Sequence, residues 1–224
     1  MFLIYDYRTK KNFEMTSEKL KEMIISTTKS SYEDTAVLPE RHGIRPTLIE
    51  PFLKELKNGT LFKGIFLVTA LARKNNDPNT RYMLIATGNK EDYSELLPRI
   101  KPQIPFFHID CSAFKPTHEG GYLSSWFRNN MGRAFSFIDI DFIFLKANKI
   151  ILIEEKTNIG VMGFGQTLSY NELLRDIFDK KSVLCVIKYS ESTKKCQIQT
   201  KIMNENPLTF PEISISDFII KLDK

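Results

Sequence analysis

Two apolar segments in the second half of the chain carry a group of ionisable side chains. The first segment contains Asp139 and Asp141, and the second contains Glu154, Glu155 and Lys156. Carboxylate oxygens are the ligands that Mg²⁺ prefers, and a site with one or two of them is completed by water and by phosphate. These residue types therefore predict a divalent cation site that acts on a phosphate-containing molecule.

The turn between the two segments decides which side chains meet. Only Ala-Asn separates Phe135–Lys146 from Lys149–Thr157, and Asn tolerates the left-handed conformation that a two-residue hairpin turn requires. In that register Asp141 lies directly opposite Glu154. Because side chains alternate between the two faces of a strand, four charged residues share one face: Asp139, Asp141, Glu154 and Lys156.

The charged face of this hairpin has two interpretations. Opposed like charges cost stability, and carboxylates held close together raise each other's pKa. In one interpretation Lys156 neutralises Glu154 and Asp139, which lies opposite the lysine; in the other a divalent cation offsets the charge. The near-continuous apolar runs are typical of a sheet covered on both faces and favour the cation. Glu155 falls on the apolar face at the end of its strand, where we expect it to reach solvent.

The pattern Asp141-x12-Glu154-Glu155-Lys156 resembles the signature of the PD-(D/E)XK nuclease superfamily, especially archaeal Holliday-junction resolvases and RecB-like nuclease domains. The resemblance implies that Asp141 and Glu154 hold the metal and that the carbonyl of Glu155 is a further ligand. It also implies that Lys156 positions the attacking water. Asp139 is an extra acid beside the motif, which leaves open which aspartate is the main ligand; the spacing favours Asp141.

A second element of the resemblance lies ten residues after the lysine. Gln166 and Tyr170 resemble the Q-x3-Y element that opens a helix in RecB-like members. The i, i+4 spacing places both on one helix face, from which they would support the site. The alternative is a helix start followed by a core tyrosine.

Three further residues are weaker candidates. Many family members add a glutamate from the preceding helix, and Glu119 is the nearest one; a solvated acid that favours the helix dipole is the alternative. Arg128 and Arg133 flank the site and are candidates for contacts to DNA phosphates, although a solvated helix face fits them equally well.

The hydrophobic patterning predicts an α/β fold, and the resemblance to PD-(D/E)XK nucleases implies a central mixed sheet flanked by helices with a restriction-endonuclease-like core. We expect this core over residues 111–224, and an N-terminal α/β region over residues 1–110 that packs on it or forms a small lobe. The predicted strands are Phe2–Tyr7, Lys63–Ala72, Arg81–Thr87, Ile104–Asp110, Phe135–Lys146, Lys149–Thr157, Val183–Tyr189 and Cys196–Met203. The predicted helices are Ser17–Ser26, Thr47–Lys57, Tyr93–Ile100, Tyr122–Met131, Gln166–Lys180 and Asp217–Leu222, the last capped by Ser216.

Composition limits the class of protein. The chain has 224 residues, 42% of them hydrophobic, and a net charge of +5. No apolar run reaches the length of a membrane helix, and the N-terminus lacks the charge order of a secretory signal. Three cysteines without metal-site spacing predict buried thiols in a reducing cytoplasm.

The predicted function is that of a metal-dependent DNA endonuclease or exonuclease. Its cofactor would be Mg²⁺, for which Mn²⁺ is expected to substitute, and its partner is DNA, with no membrane association. Cleavage of both strands would favour a symmetric homodimer. The alternative is a non-catalytic DNA-binding or assembly subunit that keeps the nuclease fold.

Overall fold

Short runs of residues separated by turns form twelve strands in the described part of the chain. The computed structural model describes residues 1–28, 48–70, 82–111, 119–146, 149–157, 164–178, 182–190, 195–202, 208–214, 216–217 and 220. The strands are β1 Phe2–Asp6, β2 Lys11–Met15, β3 Thr60–Phe62, β4 Ile65–Ala70, β5 Tyr82–Ala86, β6 Phe106–Asp110, β7 Phe135–Ile140, β8 Phe142–Lys146, β9 Lys149–Thr157, β10 Ser182–Ser190, β11 Lys195–Ile202 and β12 Leu208–Ser214. The α-helices are α1 Ser17–Thr28, α2 Glu50–Leu53, α3 Glu119–Met131 and α4 Phe164–Glu172.

The chain divides into two compact units, each with its own six-stranded mixed sheet. The first unit comprises Met1–Ile44 and Gly64–Asp139, and the second comprises Arg45–Lys63 and Ile140–Lys224. The predicted α/β class with a mixed sheet and flanking helices is therefore confirmed, although the described strands form two sheets where one central sheet was predicted. The division falls elsewhere than the predicted boundary between residues 110 and 111, because α3 and most of β7 pack into the core of the first unit.

The first unit orders its strands β2-β1-β6-β5-β4-β7, with β5 and β6 parallel. One face of this sheet packs against α1 and α3. Leu20 and Ile24 lie one helical turn apart on α1, and both are fully buried in that core. β4 and β5 are antiparallel neighbours, with Ile65 opposite Ala86.

The second unit orders its strands β12-β11-β10-β9-β8-β3. β8 and β9 are antiparallel neighbours, whereas β9 and β10 are parallel and are joined through α4. Parallel neighbours need such a crossover because the chain must return to the end of the sheet at which the first strand began. One apolar cluster of this unit joins α2 to the sheet; it contains Ile49, Leu53, Phe142, Phe144, Ile151, Ile153, Cys185 and Ile187.

Two predicted helices are wrong in extent or type, and each contains a proline. Within the described residues 48–57 the only α-helix is the short α2, which has Pro51 in its first turn, because proline is tolerated there but not inside a helix. The segment Tyr93–Ile100 contains no α-helix; one 3₁₀ turn, Lys90–Tyr93, ends at its first residue and a second, Leu97–Arg99, lies within it and contains Pro98.

The predicted helix Gln166–Lys180 is present but changes its winding. α4 ends at Glu172 and continues as a π-helical turn over Leu173–Ile177. Residues 218–219 and 221–222 of the predicted helix Asp217–Leu222 lie outside the described residues. The N–H of Asp217 donates to the hydroxyl of Ser214 at 3.1 Å.

The structure describes the side chains of two cysteines. Cys111 and Cys185 are buried and carry free thiols, as predicted. Burial raises the pKa of the Cys185 thiol to about 12. Within the described residues, no helix is both long and apolar enough to cross a membrane.

Candidate functional site

The hairpin of β8 and β9 has the predicted register. Lys146 pairs with Lys149, and the ladder runs from there to the pair Phe142–Ile153. The turn residues 147 and 148 lie outside the described residues. Because directly opposed residues share a face, this register places Phe142 with Ile153 on the apolar side, as expected.

The predicted strand Phe135–Lys146 is interrupted at Asp141, which is a correction to the sequence analysis. β7 belongs to the sheet of the first unit and β8 to the sheet of the second, with Asp141 at the bend between them. Asp141 therefore lies just beyond the last pair of the ladder. Its Oδ2 accepts a hydrogen bond from the main-chain N–H of Glu155 at 2.7 Å, which fixes the carboxylate beside β9.

Glu154 is the centre of the site in the second unit. Its side chain is 3% exposed, and both of its carboxylate oxygens accept hydrogen bonds. Lys156 Nζ and Gln166 Nε2 donate to Oε1, and the hydroxyl of Tyr170 donates to Oε2 at 2.5 Å. Four residues that the sequence patterns singled out separately are therefore in direct contact.

The local fold explains this convergence. Glu154 and Lys156 are two residues apart in β9, so their side chains point to the same face of the sheet. Gln166 and Tyr170 are one turn apart in α4, so both reach the same partner. Tyr170 is fully buried and combines the two roles that the sequence left as alternatives, since it lies in the core and donates to Glu154.

Glu155 points away from this cluster and is partly buried, and its carboxylate contacts the main chain as well as reaching solvent. Its two carboxylate oxygens each accept a hydrogen bond from the main-chain N–H of Leu48 at 3.0 Å. Desolvation by burial raises the pKa of Glu155, although these hydrogen bonds act in the opposite direction. Glu155 thus attaches the start of the α2 segment to β9.

Sequence reasoning missed Leu48 because its contribution is a main-chain N–H, which no residue type encodes. The contact also spans 107 positions of sequence. One available signal was the carboxylate itself: a glutamate on an apolar face must find donors, since burying an unpaired charge is very costly.

The remaining candidates belong to the first unit. Asp139 lies in β7, a strand of the other sheet, so the predicted pairing with Lys156 does not occur in the described ladder. Arg128 lies in the last turn of α3, partly exposed. Glu119 begins α3 and Arg133 lies in the 3₁₀ turn after it; the side chains of both lie outside the described ones.

The first unit also holds an open cavity of about 720 Å³ that sequence reasoning did not predict. His108, Tyr5 and Lys90 line it. His108 is buried and donates its Nε2–H to the carbonyl of Gly88. The ammonium of Lys90 lies 4.8 Å from the centre of the Tyr5 ring, a cation–π contact.

The donor set at Glu154 fits a hard divalent cation by its chemistry. Asp141 and Glu154 offer carboxylate oxygens and Glu155 offers a main-chain carbonyl, which are the ligand types that Mg²⁺ prefers. No group of three or more His, Cys, Asp or Glu side chains suited to a metal occurs among the described residues. The charge of Glu154 is meanwhile balanced by its ion pair with Lys156.

Comparisons with known proteins add no further evidence on this site, since no family model, no curated protein and no solved structure matches the chain.

Proposed function

We propose that the protein hydrolyses phosphodiester bonds in DNA with Mg²⁺ as cofactor. The observation that carries this proposal is the convergence on Glu154: Lys156 from the same strand and Gln166 and Tyr170 from α4 all donate to one buried carboxylate. These are the residues that the PD-(D/E)XK resemblance singles out. A core that serves only packing does not require an acid, a lysine and a glutamine in contact with one another beside a fully buried tyrosine.

The proposed nuclease core consists of β8, β9, α4 and β10. Their order and pairing agree with the strand–turn–strand, helix, strand arrangement that the resemblance implies. On this basis we propose that the second unit carries a restriction-endonuclease-like core. The segment Arg45–Lys63 would then be an addition that covers its apolar face.

Each residue of the cluster has a proposed role. Asp141, Glu154 and the carbonyl of Glu155 would hold the metal ion, which when bound lowers the pKa of a water and neutralises charge on the scissile phosphate. Lys156 would place its ammonium near that phosphate, where charge increases in the transition state. Gln166 and Tyr170 would hold the Glu154 carboxylate in one orientation, so that the site needs little rearrangement when the reaction occurs.

The net charge of +5 supports a polyanionic substrate, since lysine and arginine side chains neutralise phosphates. We propose DNA because the family resemblance is closest to nucleases that act on it. Arg128, and Arg133 near it in sequence, are the proposed phosphate contacts of the first unit. A homodimer would account for cleavage of both strands.

The alternative function is a non-catalytic DNA-binding or assembly subunit, and one contact favours it. The ion pair of Lys156 with Glu154 balances the buried charge within the protein itself. A cation is therefore not required for the fold to tolerate Glu154.

The two functions differ in whether DNA is cut. The purified protein is incubated with linear, circular and branched DNA, with and without Mg²⁺ or Mn²⁺, beside the variants Glu154→Gln and Glu50→Gln. Glu50 serves as the control because it too is an acid of the second unit paired with a lysine, Lys63, at 2.8 Å, although its side chain is more exposed than that of Glu154. Cleavage that needs the cation and is lost only in Glu154→Gln supports the nuclease. DNA binding without cleavage under every condition would overturn it in favour of the binding subunit.

A further inference from the structure

The two oxygens of Glu154 are used unequally. Oε1 accepts from both Lys156 and Gln166, whereas Oε2 accepts from Tyr170. A carboxylate oxygen has two lone-pair positions, so these two donors fill the positions on Oε1. A cation that binds Oε1 must therefore replace one of them.

The burial of the partners indicates from which side a cation reaches Glu154. Tyr170, on the Oε2 side, is fully buried, so that side is closed by the core. The side chain of Lys156, on the Oε1 side, is 18% exposed, against 3% for that of Glu154. Mg²⁺ keeps several of its waters when it binds to proteins, and it needs room for them. The hydrated ion would thus approach through the position of the lysine.

We infer that Lys156 and the divalent cation compete for Oε1 of Glu154, so that binding of the cation releases the lysine ammonium from the carboxylate. This inference rests on the proposed function, since it concerns the same metal site. Lys156 is the donor that moves, because its long stem is flexible and its end lies near solvent. Gln166 and Tyr170, both held on α4, keep the carboxylate in place while the lysine leaves.

The release would give the lysine two successive partners. Without the cation its ammonium balances the charge of Glu154, and with the cation bound it is available to a phosphate oxygen of the substrate. The lysine would therefore act on DNA only when the cation is present. Because coupling between two ligands is reciprocal, a change at Lys156 that weakens its ion pair with Glu154 must strengthen cation binding.

The first test measures cation affinity. Mn²⁺ is titrated by calorimetry into the full-length wild type and into the variants Lys156→Met and Lys63→Met. Lys63→Met removes the same charge from another acid–lysine pair of the second unit and controls for the change in net charge. We expect Lys156→Met to bind Mn²⁺ about tenfold more tightly, within the usual range of coupling between sites. We expect Lys63→Met to bind as the wild type does.

The second test uses the wild type and so does not depend on how a variant folds. An amine-acylating reagent is applied with and without Mg²⁺, and the modification of each lysine is followed by mass spectrometry. Lys156 should react several-fold faster with Mg²⁺ present, whereas Lys54, whose side chain is 65% exposed, should react equally in both conditions. In Glu154→Gln, Lys156 should react at the faster rate whether or not Mg²⁺ is present.

The outcomes separate this inference from the proposed function. If the wild type binds Mn²⁺ but either Lys156→Met binds it no more tightly or Mg²⁺ leaves the acylation of Lys156 unchanged, the competition is disproved and the metal site is not. If the wild type binds no Mn²⁺ and Glu154→Gln behaves identically, the metal site fails and the inference fails with it.

Discussion

The side chain of Asp141 and the main-chain N–H of Glu155 are joined by a hydrogen bond of 2.7 Å. This bond lies at the position where the chain leaves one sheet and enters the other. It holds the carboxylate of Asp141 next to the residue that follows Glu154. In the proposed metal site, a main-chain N–H of β9 thus positions Asp141, and a side chain of β9, that of Lys156, contacts Glu154.

Replacement of Asp141 should remove cleavage while leaving DNA binding intact. Asp141→Ala takes one ligand from a site that has few, and it also removes negative charge that would repel phosphate. Asp139→Ala is the matched control, because Asp139 belongs to a strand of the other sheet and should be dispensable. Cleavage assays and gel shifts on both variants check this; an inactive Asp139→Ala beside an active Asp141→Ala would reverse the assignment.

Replacement of Lys156 should reduce catalysis far more than binding. Lys156→Met keeps most of the apolar stem and removes the charge, so the single-turnover cleavage rate should fall about 10²–10³-fold, as for loss of one preorganised electrostatic group. DNA affinity should change little, since one phosphate contact among several contributes little. The variant should also lose about 1–3 kcal/mol of stability, because Glu154 loses a charged donor. Normal cleavage by a variant that melts several degrees lower would show that the lysine is only structural.

Divalent cations should stabilise the folded protein through Glu154. A ligand that binds only the native state raises the free energy of unfolding by mass action, about 2.7 kcal/mol at a hundred times its dissociation constant. Thermal unfolding with Mg²⁺ or Ca²⁺ should therefore have a higher midpoint than with sodium chloride at equal ionic strength, and Glu154→Gln should abolish the difference. Equal midpoints in the two salts would indicate that the divalent cation only screens charge and does not bind at Glu154.

Removal of the Tyr170 hydroxyl should weaken the site from inside the core. Tyr170→Phe deletes the donor to Glu154 Oε2 and should cost about 1.5–3 kcal/mol, the usual range for a hydrogen bond to a charged group. Tyr93→Phe is the control, since the Tyr93 hydroxyl accepts a 3.2 Å hydrogen bond from the neutral main chain at Gly88. Denaturant unfolding should rank the two losses in that order, and only Tyr170→Phe should lower the cleavage rate. A larger loss in Tyr93→Phe would contradict the ranking.

The carboxyl of Glu50 should make stability depend on pH. The hydrogen bond from Lys63 is the main cause that lowers its pKa below the ordinary value of 4.5. Since the folded pKa is depressed, the stabilisation is fully present above pH 4.5 and is lost as the pH falls through the folded pKa. Glu50→Gln should therefore be less stable than the wild type at pH 7 and nearly equal to it at pH 2. Chemical unfolding at both values measures the difference, and an equal loss at both would contradict it.

The register of the hairpin could be predicted from sequence, but the residue at which its first strand, β8, begins could not. The two-residue turn fixes every pair from Lys146–Lys149 to Phe142–Ile153, because each step along the strand follows from the last. The change of sheet at Asp141 has no local signal, since the apolar pattern continues through it on both sides. Which of two sheets a strand joins depends on partners far away in sequence.

The helix contacts were predictable for a similar reason. The spacing of Gln166 and Tyr170 fixes their shared face, and the motif on β9 supplies an acid for them to bind. The strands β2, β3 and β12 were not predicted. β2 is an edge strand with mostly exposed residues, β3 has three residues, and β12 contains Pro211, so none carries the continuous apolar pattern of a buried strand.

The contact of Glu155 with Leu48 has a consequence for the order of folding. It closes a loop of 107 positions, and the entropy lost in closing a long loop must be overcome before the contact stabilises anything. During synthesis, every residue of the first unit leaves the ribosome before the hairpin of the second unit does. The segment Arg45–Lys63 is therefore synthesised before β8 and β9, and it lacks the sheet of its own unit until these strands emerge. Nascent chains stopped after Asp139 should accordingly contain a folded first unit and a protease-sensitive segment around Leu48, which becomes protected once the rest of the chain is made.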